Sequence, residues 1–202
     1  AIIETEALQE GNDIVEEERL PDPLSLDINT AVIGFGVPER TKVYKALSKG
    51  LTEAQRVEIF KGLLELGDIV TNDYDALVLI EKEIRQRMEE DPIFAEEVRL
   101  GRRKVVVIVT TDGGSNYEGL TPEQARVRTK KKAGDLRELG AKVKAIALAP
   151  NGEDERNIKT VYGAEHTVVC PSTDQYTEST RQVLEKDVLG SLTFTDNIEG
   201  IQ

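Results

Sequence analysis

A carboxylate follows an apolar run in this sequence of 202 residues. Residues 105–109 are all Val or Ile, and two threonines separate them from Asp112, Gly113 and Gly114. The β-branched composition and the glycine-rich end predict a strand buried on both faces, as in the middle of a parallel sheet. Ligands of open α/β sheets collect at the carboxyl ends of such strands, which makes Asp112 a candidate binding residue. The alternative is a simple turn, because Asp and Gly are common turn residues.

A hydroxyl side chain, that of Thr71, lies in the loop before an amphipathic helix predicted at residues 73–91. The sequence predicts that this hydroxyl is exposed at the amino terminus of the helix. Threonine is a frequent N-cap residue, so capping is its simplest role. Taken alone, neither Thr71 nor Asp112 establishes a site.

Few other residues suggest chemistry. His166, the single histidine, lies beside a predicted strand and is better explained as a structural residue than as a base. Cys170, the single cysteine, follows on the same strand, where a buried thiol is expected. Neither G-x-x-x-x-G-K-[ST] nor G-x-G-x-x-G occurs, so nothing supports a nucleotide-binding loop. The basic segment 128–134 is predicted to be a solvated helix face.

Alternating strands and helices must position these residues. The predicted strands are 30–36, 41–47, 105–109, 142–149 and 166–170. The main predicted helices are 2–20, 52–66, 73–91, 121–140, 154–163 and 173–189. Strands interleaved with helices form mainly parallel sheets covered on both faces, so the predicted fold class is doubly wound α/β. We expect one domain over residues 1–189 and a C-terminal tail at 190–202.

Composition excludes several classes of function. The 38 acidic and 26 basic residues give a net charge of −12, which argues against binding a nucleic-acid backbone and suits holding a cation. No apolar run approaches the ~20 residues of a membrane span. A single cysteine cannot form an internal disulfide and favours a reducing compartment, so a cytoplasmic location is expected.

Four segments together resemble the von Willebrand factor type A domain: VIGFG, ELGDIVTNDYDAL, VVVIVTTDGGSN and LRELGAKVKAIAL. The resemblance covers residues 28–189, most of the chain. Its most recognisable part is a hydrophobic strand ending in Thr-Asp-Gly, then a helix ending in Leu-x-x-x-Gly before the next strand. The resemblance implies the fold of that family and a module that binds a protein rather than an enzyme.

The resemblance also implies a metal-ion-dependent adhesion site (MIDAS) at the carboxyl end of the sheet. In the family, a D-x-S-x-S loop, a later Thr and an Asp hold a divalent cation; Thr71 matches that Thr and Asp112 matches that Asp. The implied ion is magnesium, with manganese or calcium as alternatives. Such ions take oxygen ligands and keep several waters. The implied partner is a protein whose acidic side chain completes the coordination.

The D-x-S-x-S loop is not found in these 202 residues. Residues 2–20 correspond to the first helix of the family, so its first strand is expected upstream of Ala1 or from another segment or chain. Residues 1–7, with Glu4 and Glu6 as acidic ligands, are a less suitable alternative, as is the segment 26–30. The first strand should pair between strands 30–36 and 105–109, and direct pairing of those two would contradict the resemblance.

Three functions remain open. The first is a type A protein-binding module, with or without a shared magnesium ion. The second is a metal-independent scaffold of the same fold, in which Thr71 is only a cap and Asp112 only a turn. The third is a phosphate-processing hydrolase, which needs a nucleophilic Asp two residues before a second Asp; Thr110 occupies that earlier position.

Overall fold

The computed structural model describes residues 28–36, 41–65, 71–113, 117 and 119–187. The helix predicted at 2–20 and the tail at 190–202 lie outside these ranges. The chain divides into two compact units, Ala1–Ala76 and Leu77–Gln202, each with its own internal contacts. The single domain expected over residues 1–189 stays a prediction.

The first unit is a hairpin with a helix against it. Its elements are β1 (Thr30–Gly34), β2 (Lys42–Ser48) and α1 (Glu53–Glu65). β1 and β2 pair antiparallel, with irregular register between Thr30 and Ile33. A capping box begins α1: the amide of Gln55 donates to Thr52 Oγ1 at 3.2 Å, and the amide of Thr52 donates to Gln55 Oε1 at 2.9 Å.

The ring of Tyr44 determines how α1 packs on the hairpin. A Cβ added at Gly34 would lie 2.5 Å from Tyr44 Cε2, and one added at Gly62 would also overlap the ring. α1 therefore approaches β2 through its glycine, and Gly62 is buried. The opposite face carries Val57 and Phe60, which are 43% and 64% exposed. These two apolar side chains therefore face solvent, because α1 packs on the ring of Tyr44 through Gly62.

The second unit is a parallel sheet with helices around it, which confirms the α/β fold class. Its strands are β3 (Val105–Thr111), β4 (Ala141–Leu148) and β5 (Thr167–Cys170), hydrogen-bonded in that order. Its helices are α3 (Pro92–Arg99), α4 (Pro122–Glu138), α5 (Gly152–Tyr162) and α6 (Tyr176–Asp187). Another helix, α2 (Asp73–Glu90), begins in the first unit and continues into the second. None of the helices that the structure describes has the length and apolar character to cross a membrane.

β3 occupies the edge of the three strands. Among the described residues it pairs with β4 alone, and β1 pairs with β2 alone. Val107 and Val109 are buried, whereas Val105, Val106 and Ile108 are only half-buried, so the strand is less enclosed than its composition predicts. It carries no charge, proline or bulge of the kind that blocks pairing at a sheet edge. The additional strand expected from the family resemblance stays a prediction.

An ion pair joins α4 to α2 within the second unit. Lys132 Nζ lies 2.5 Å from Glu81 Oε2 and 3.0 Å from Asp135 Oδ2. The Lys132 and Glu81 side chains are only 17% and 13% exposed. The hydrogen bond from Lys132 lowers the pKa of Glu81, and the same bond raises the pKa of Lys132. Both shifts favour the charged forms, so the folded protein stabilises Glu81 and Lys132 as an ion pair.

Gly62→Ala should destabilise the protein. Alanine favours a helix over glycine by about 1 kcal/mol, but overpacking against Tyr44 should cost about 1–3 kcal/mol. Gly134→Ala in α4 is the matched control, because no heavy atom lies within 4 Å of an added Cβ there. We expect urea unfolding to show a loss for Gly62→Ala and a gain for Gly134→Ala; equal gains would contradict the packing of Tyr44.

Lys132→Met should lower the free energy of unfolding at pH 7 by about 1.5–3 kcal/mol, the range for hydrogen bonds to charged groups. The pKa of Glu81 is lower in the folded protein than in the unfolded chain. The contribution of Glu81 to the free energy of unfolding is therefore fully present above its unfolded pKa of about 4.3, and it is lost as the pH falls through its folded pKa. The variant should therefore lose less stability on acidification than the parent in urea titrations between neutral and acidic pH. Lys131→Met, at an exposed neighbouring residue, is the control, and an equal effect there would contradict the assignment.

Candidate functional site

Asp112 lies immediately beyond the last residue of β3, and its side chain is exposed. The turn after the strand is held by Thr111, whose Oγ1 donates to the carbonyl of Gly113 at 3.1 Å and accepts from its amide at 3.4 Å. Within the part of the chain that the structure describes, no hydrogen bond or ion pair engages the carboxylate of Asp112. The turn is therefore made without this carboxylate, which stays accessible to a ligand.

Other polar residues reach the same edge, because β3, β4 and β5 run parallel. After β4, Asn151 caps α5: its Oδ1 accepts from the amides of Glu153 and Asp154 at 2.9 and 3.0 Å. Its Nδ2 also donates to Asp154 Oδ2 at 2.5 Å. The side chains of Asn151 and Asp154 are thus engaged in capping α5, in contrast to the carboxylate of Asp112. The sequence signal for them is an asparagine two residues before the acidic run 153–155, which is an N-cap pattern.

Thr71 has a different environment from the one predicted. It is half-buried rather than exposed. The cap of α2 is the next residue: Asn72 Oδ1 accepts from the amide of Asp75 at 3.3 Å, and Asn72 Nδ2 donates to Asp75 Oδ2 at 2.8 Å. The amide of Asn72 donates to the carbonyl of Gly36 at 3.2 Å, which anchors this turn within the first unit. The hydroxyl of Thr71 is therefore not needed as a cap.

Asp112 and Thr71 match a hard divalent cation in the type of atom they offer, a carboxylate oxygen and a hydroxyl oxygen. Across the described ranges, no group of three or more His, Cys, Asp and Glu side chains is placed to hold a metal ion. Each of these residues would therefore need waters and further ligands to hold an ion. This agrees with a sequence in which the D-x-S-x-S loop is not found.

His166 and Cys170 do not form a catalytic pair. His166 ends a short 3₁₀ turn before β5, with Nε2 3.4 Å from Glu165 Oε1. Cys170 is fully buried at the far end of that strand, and its Sγ donates to the carbonyl of Ser172 at 3.0 Å. Four strand residues span about 13 Å, far beyond hydrogen-bond reach. The expectation of a buried thiol is confirmed.

Asn72→Ala should lower the free energy of unfolding by about 1 kcal/mol, because it removes the cap of α2. Thr71→Ala should change it by less than about 0.5 kcal/mol, as is usual where no cap or network is lost. Urea denaturation measures the free energy of unfolding of the two variants, whose substitutions lie at adjacent residues. A larger loss of unfolding free energy for Thr71→Ala than for Asn72→Ala would show that Thr71 is the cap of α2.

No family model matches the chain, and no curated protein matches it. The chain is similar to two solved structures of proximal thread matrix protein 1 from the mussel byssus. The first has 16% identity and a TM-score of 0.47, over 79% of this chain and 35% of that one. The second, described as having a zinc-occupied MIDAS motif, has 18% identity and a TM-score of 0.45, over 90% and 43%.

The chain thus spans about a third to two fifths of the length of these proteins. With TM-scores below 0.5, the likenesses carry no argument about activity. The α/β fold class of the chain rests on its own parallel sheet and the helices around it.

Proposed function

We propose that this chain is a protein-binding module of the von Willebrand factor type A kind, and that it binds through a divalent cation. Asp112 and Thr71 supply oxygen ligands to the ion, and an acidic side chain of a protein partner completes the coordination. Magnesium is the proposed ion, with manganese or calcium as alternatives. The module has no catalytic role.

One observation carries this proposal: an exposed carboxylate that the local turn does not use, at the carboxyl end of a parallel strand. Asp112 lies where ligands of open α/β sheets bind. A net charge of −12 favours accumulation of cations around the protein. Thr71 supports the assignment because its neighbour Asn72 caps α2 and leaves the hydroxyl available.

A metal-independent scaffold is the second candidate function. It is favoured by the lack of a cluster of three acidic or other ligating residues in the described part of the chain. In that case partners bind through side chains of the sheet edge and its helices, and Asp112 has no special role. The two functions differ in one measurable property, the dependence of binding on a divalent cation.

Calorimetric titration of magnesium and manganese into the full chain tests the proposal. Asp112→Ala should weaken binding at least about tenfold, which corresponds to about 1.4 kcal/mol, because the ion loses a charged ligand. Thr71→Ala should weaken it less, because a neutral oxygen is lost. Asp174→Ala is the matched control, since Asp174 is an exposed aspartate just after β5.

Absence of binding at millimolar metal, both in this chain and in a version extended upstream of Ala1, would overturn the cation-dependent function and leave the scaffold. Binding that Asp112→Ala does not affect would place the ion elsewhere. Turnover of a generic phosphate ester that is lost in Asp112→Ala would instead support the hydrolase alternative and contradict a purely binding role.

A further inference from the structure

Asn151 and Gly152 form the one Asn-Gly pair of the chain. The sequence has seven asparagines, and glycine follows only this one. Asparagine is thermolabile because its side-chain amide can react with the backbone nitrogen of the next residue. Glycine favours this reaction, since it has no Cβ to obstruct the nitrogen and restricts the backbone least. The pair follows β4 and begins α5, at the carboxyl end of the sheet.

Gly152 offers a backbone nitrogen that its surroundings do not block. It is the first residue of α5, where the amides have no partner within the helix. In the described part of the chain, no hydrogen bond engages this amide. Asn151 and Gly152 are both exposed, and no heavy atom from elsewhere in the chain lies within 4 Å of a Cβ added at Gly152. The nitrogen is therefore available, and water has access to the pair.

Capping bonds hold the other reactant, the side-chain amide of Asn151. Its Oδ1 accepts from the amides of Glu153 and Asp154, and its Nδ2 donates to Asp154 Oδ2. The bonds to Oδ1 fix the orientation of the carboxamide, and the bond from Nδ2 holds the nitrogen that would leave. Ring closure requires the carboxamide carbon to turn towards the Gly152 nitrogen, so these bonds have to open first.

We propose that Asn151 is a deamidation site and that the cap of α5 controls the rate of its reaction. When the first turn of α5 opens, the Gly152 nitrogen forms a bond to the side-chain carbonyl carbon of Asn151. The bond from that carbon to Nδ2 breaks, and ammonia leaves with the proton of the Gly152 amide, which yields a succinimide. Water then opens the ring at the side-chain carbonyl to give aspartate, or at the backbone carbonyl to give isoaspartate. The reaction consumes only water and needs no oxidant or reductant.

Either product adds a carboxylate at the edge of the sheet on which Asp112 lies. Aspartate still caps α5, because it accepts from the same amides and a negative charge suits a helix amino terminus. It no longer donates to Asp154, however, and the two carboxylates repel each other. Isoaspartate adds a carbon to the main chain and displaces the cap. Deamidation therefore makes the first turn of α5 open more readily, independently of any metal ion.

Peptide mapping by mass spectrometry tests the proposal on the full chain incubated at mildly alkaline pH. Conversion of amide to acid should appear at Asn151 before any other asparagine, and Gly152→Ala should slow it. Asp154→Ala should speed the reaction at least about threefold, because it removes the bond to Nδ2. Asp154→Asn keeps an acceptor oxygen and should react at nearly the parent rate. Glu153→Ala is the matched control, since that acidic side chain is exposed and makes no bond to Asn151.

A chain in which Asn151 stays unreacted while another asparagine is converted would overturn the proposal. So would equal rates for Asp154→Ala and the parent, once circular dichroism shows that the variant keeps its helices. The urea-unfolded chain should react faster at Asn151 than the folded chain, because the cap is absent. Equal rates in the folded and unfolded chains would contradict control by the cap.

Discussion

Parallel pairing of β3 with β4, from Val105 opposite Ala141 to Thr111 opposite Ala147, is the constraint on which the second unit depends. Parallel strands cannot be joined by a tight turn, so each connection needs a crossover element, and α4 and α5 supply it. A crossover helix must bury one face on the sheet. α4 does so with residues at helical spacing that are all buried: Ala125, Thr129, Ala133 and Leu136. The same pairing brings Asp112 and Asn151, from different loops, to one edge.

A charged contact then fixes the end of α4. Arg137 Nη2 donates to the carbonyl of Tyr162, the last residue of α5, at 2.6 Å and to the carbonyl of Val143 in β4 at 3.3 Å. Burial lowers the pKa of Arg137, but a guanidinium remains charged at any physiological pH. Apolar packing by Leu136 sets the depth of the helix, while the directional bonds of Arg137 limit how it can slide along the sheet.

Much of this fold follows from local sequence signals. Thr121 and Gln124 form a capping box at the start of α4, with bonds of 2.9 and 3.2 Å, and both partners lie within one turn of the chain. β3 extends two residues beyond its prediction, since Thr110 and Thr111 continue the backbone ladder of the valines before them.

The candidate site and the orientation of α1 were less predictable. The cap of α2 lies one residue after Thr71, a shift that helix propensity does not resolve. The orientation of α1 depends on its packing against Tyr44, a residue of another element, and periodicity along α1 alone carries no information about that contact. Ligands from distant parts of a chain leave no local pattern at all, and for this reason Asp112 could be identified only as the end of a strand.

Net charge gives the proposed metal a second role besides coordination. A partner that offers a carboxylate must approach a chain of charge −12, whose exposed Asp112 repels it at short range. Salt screens the distant charges beyond about 8 Å, but not the contact between two carboxylates. A divalent ion held by Asp112 would turn the repulsion between Asp112 and the partner's carboxylate into an attraction, and it would do so only at this position. The acidic surface would then repel acidic proteins everywhere except at the metal. The negative charge would weaken non-specific association and would restrict binding to the one contact made through the ion.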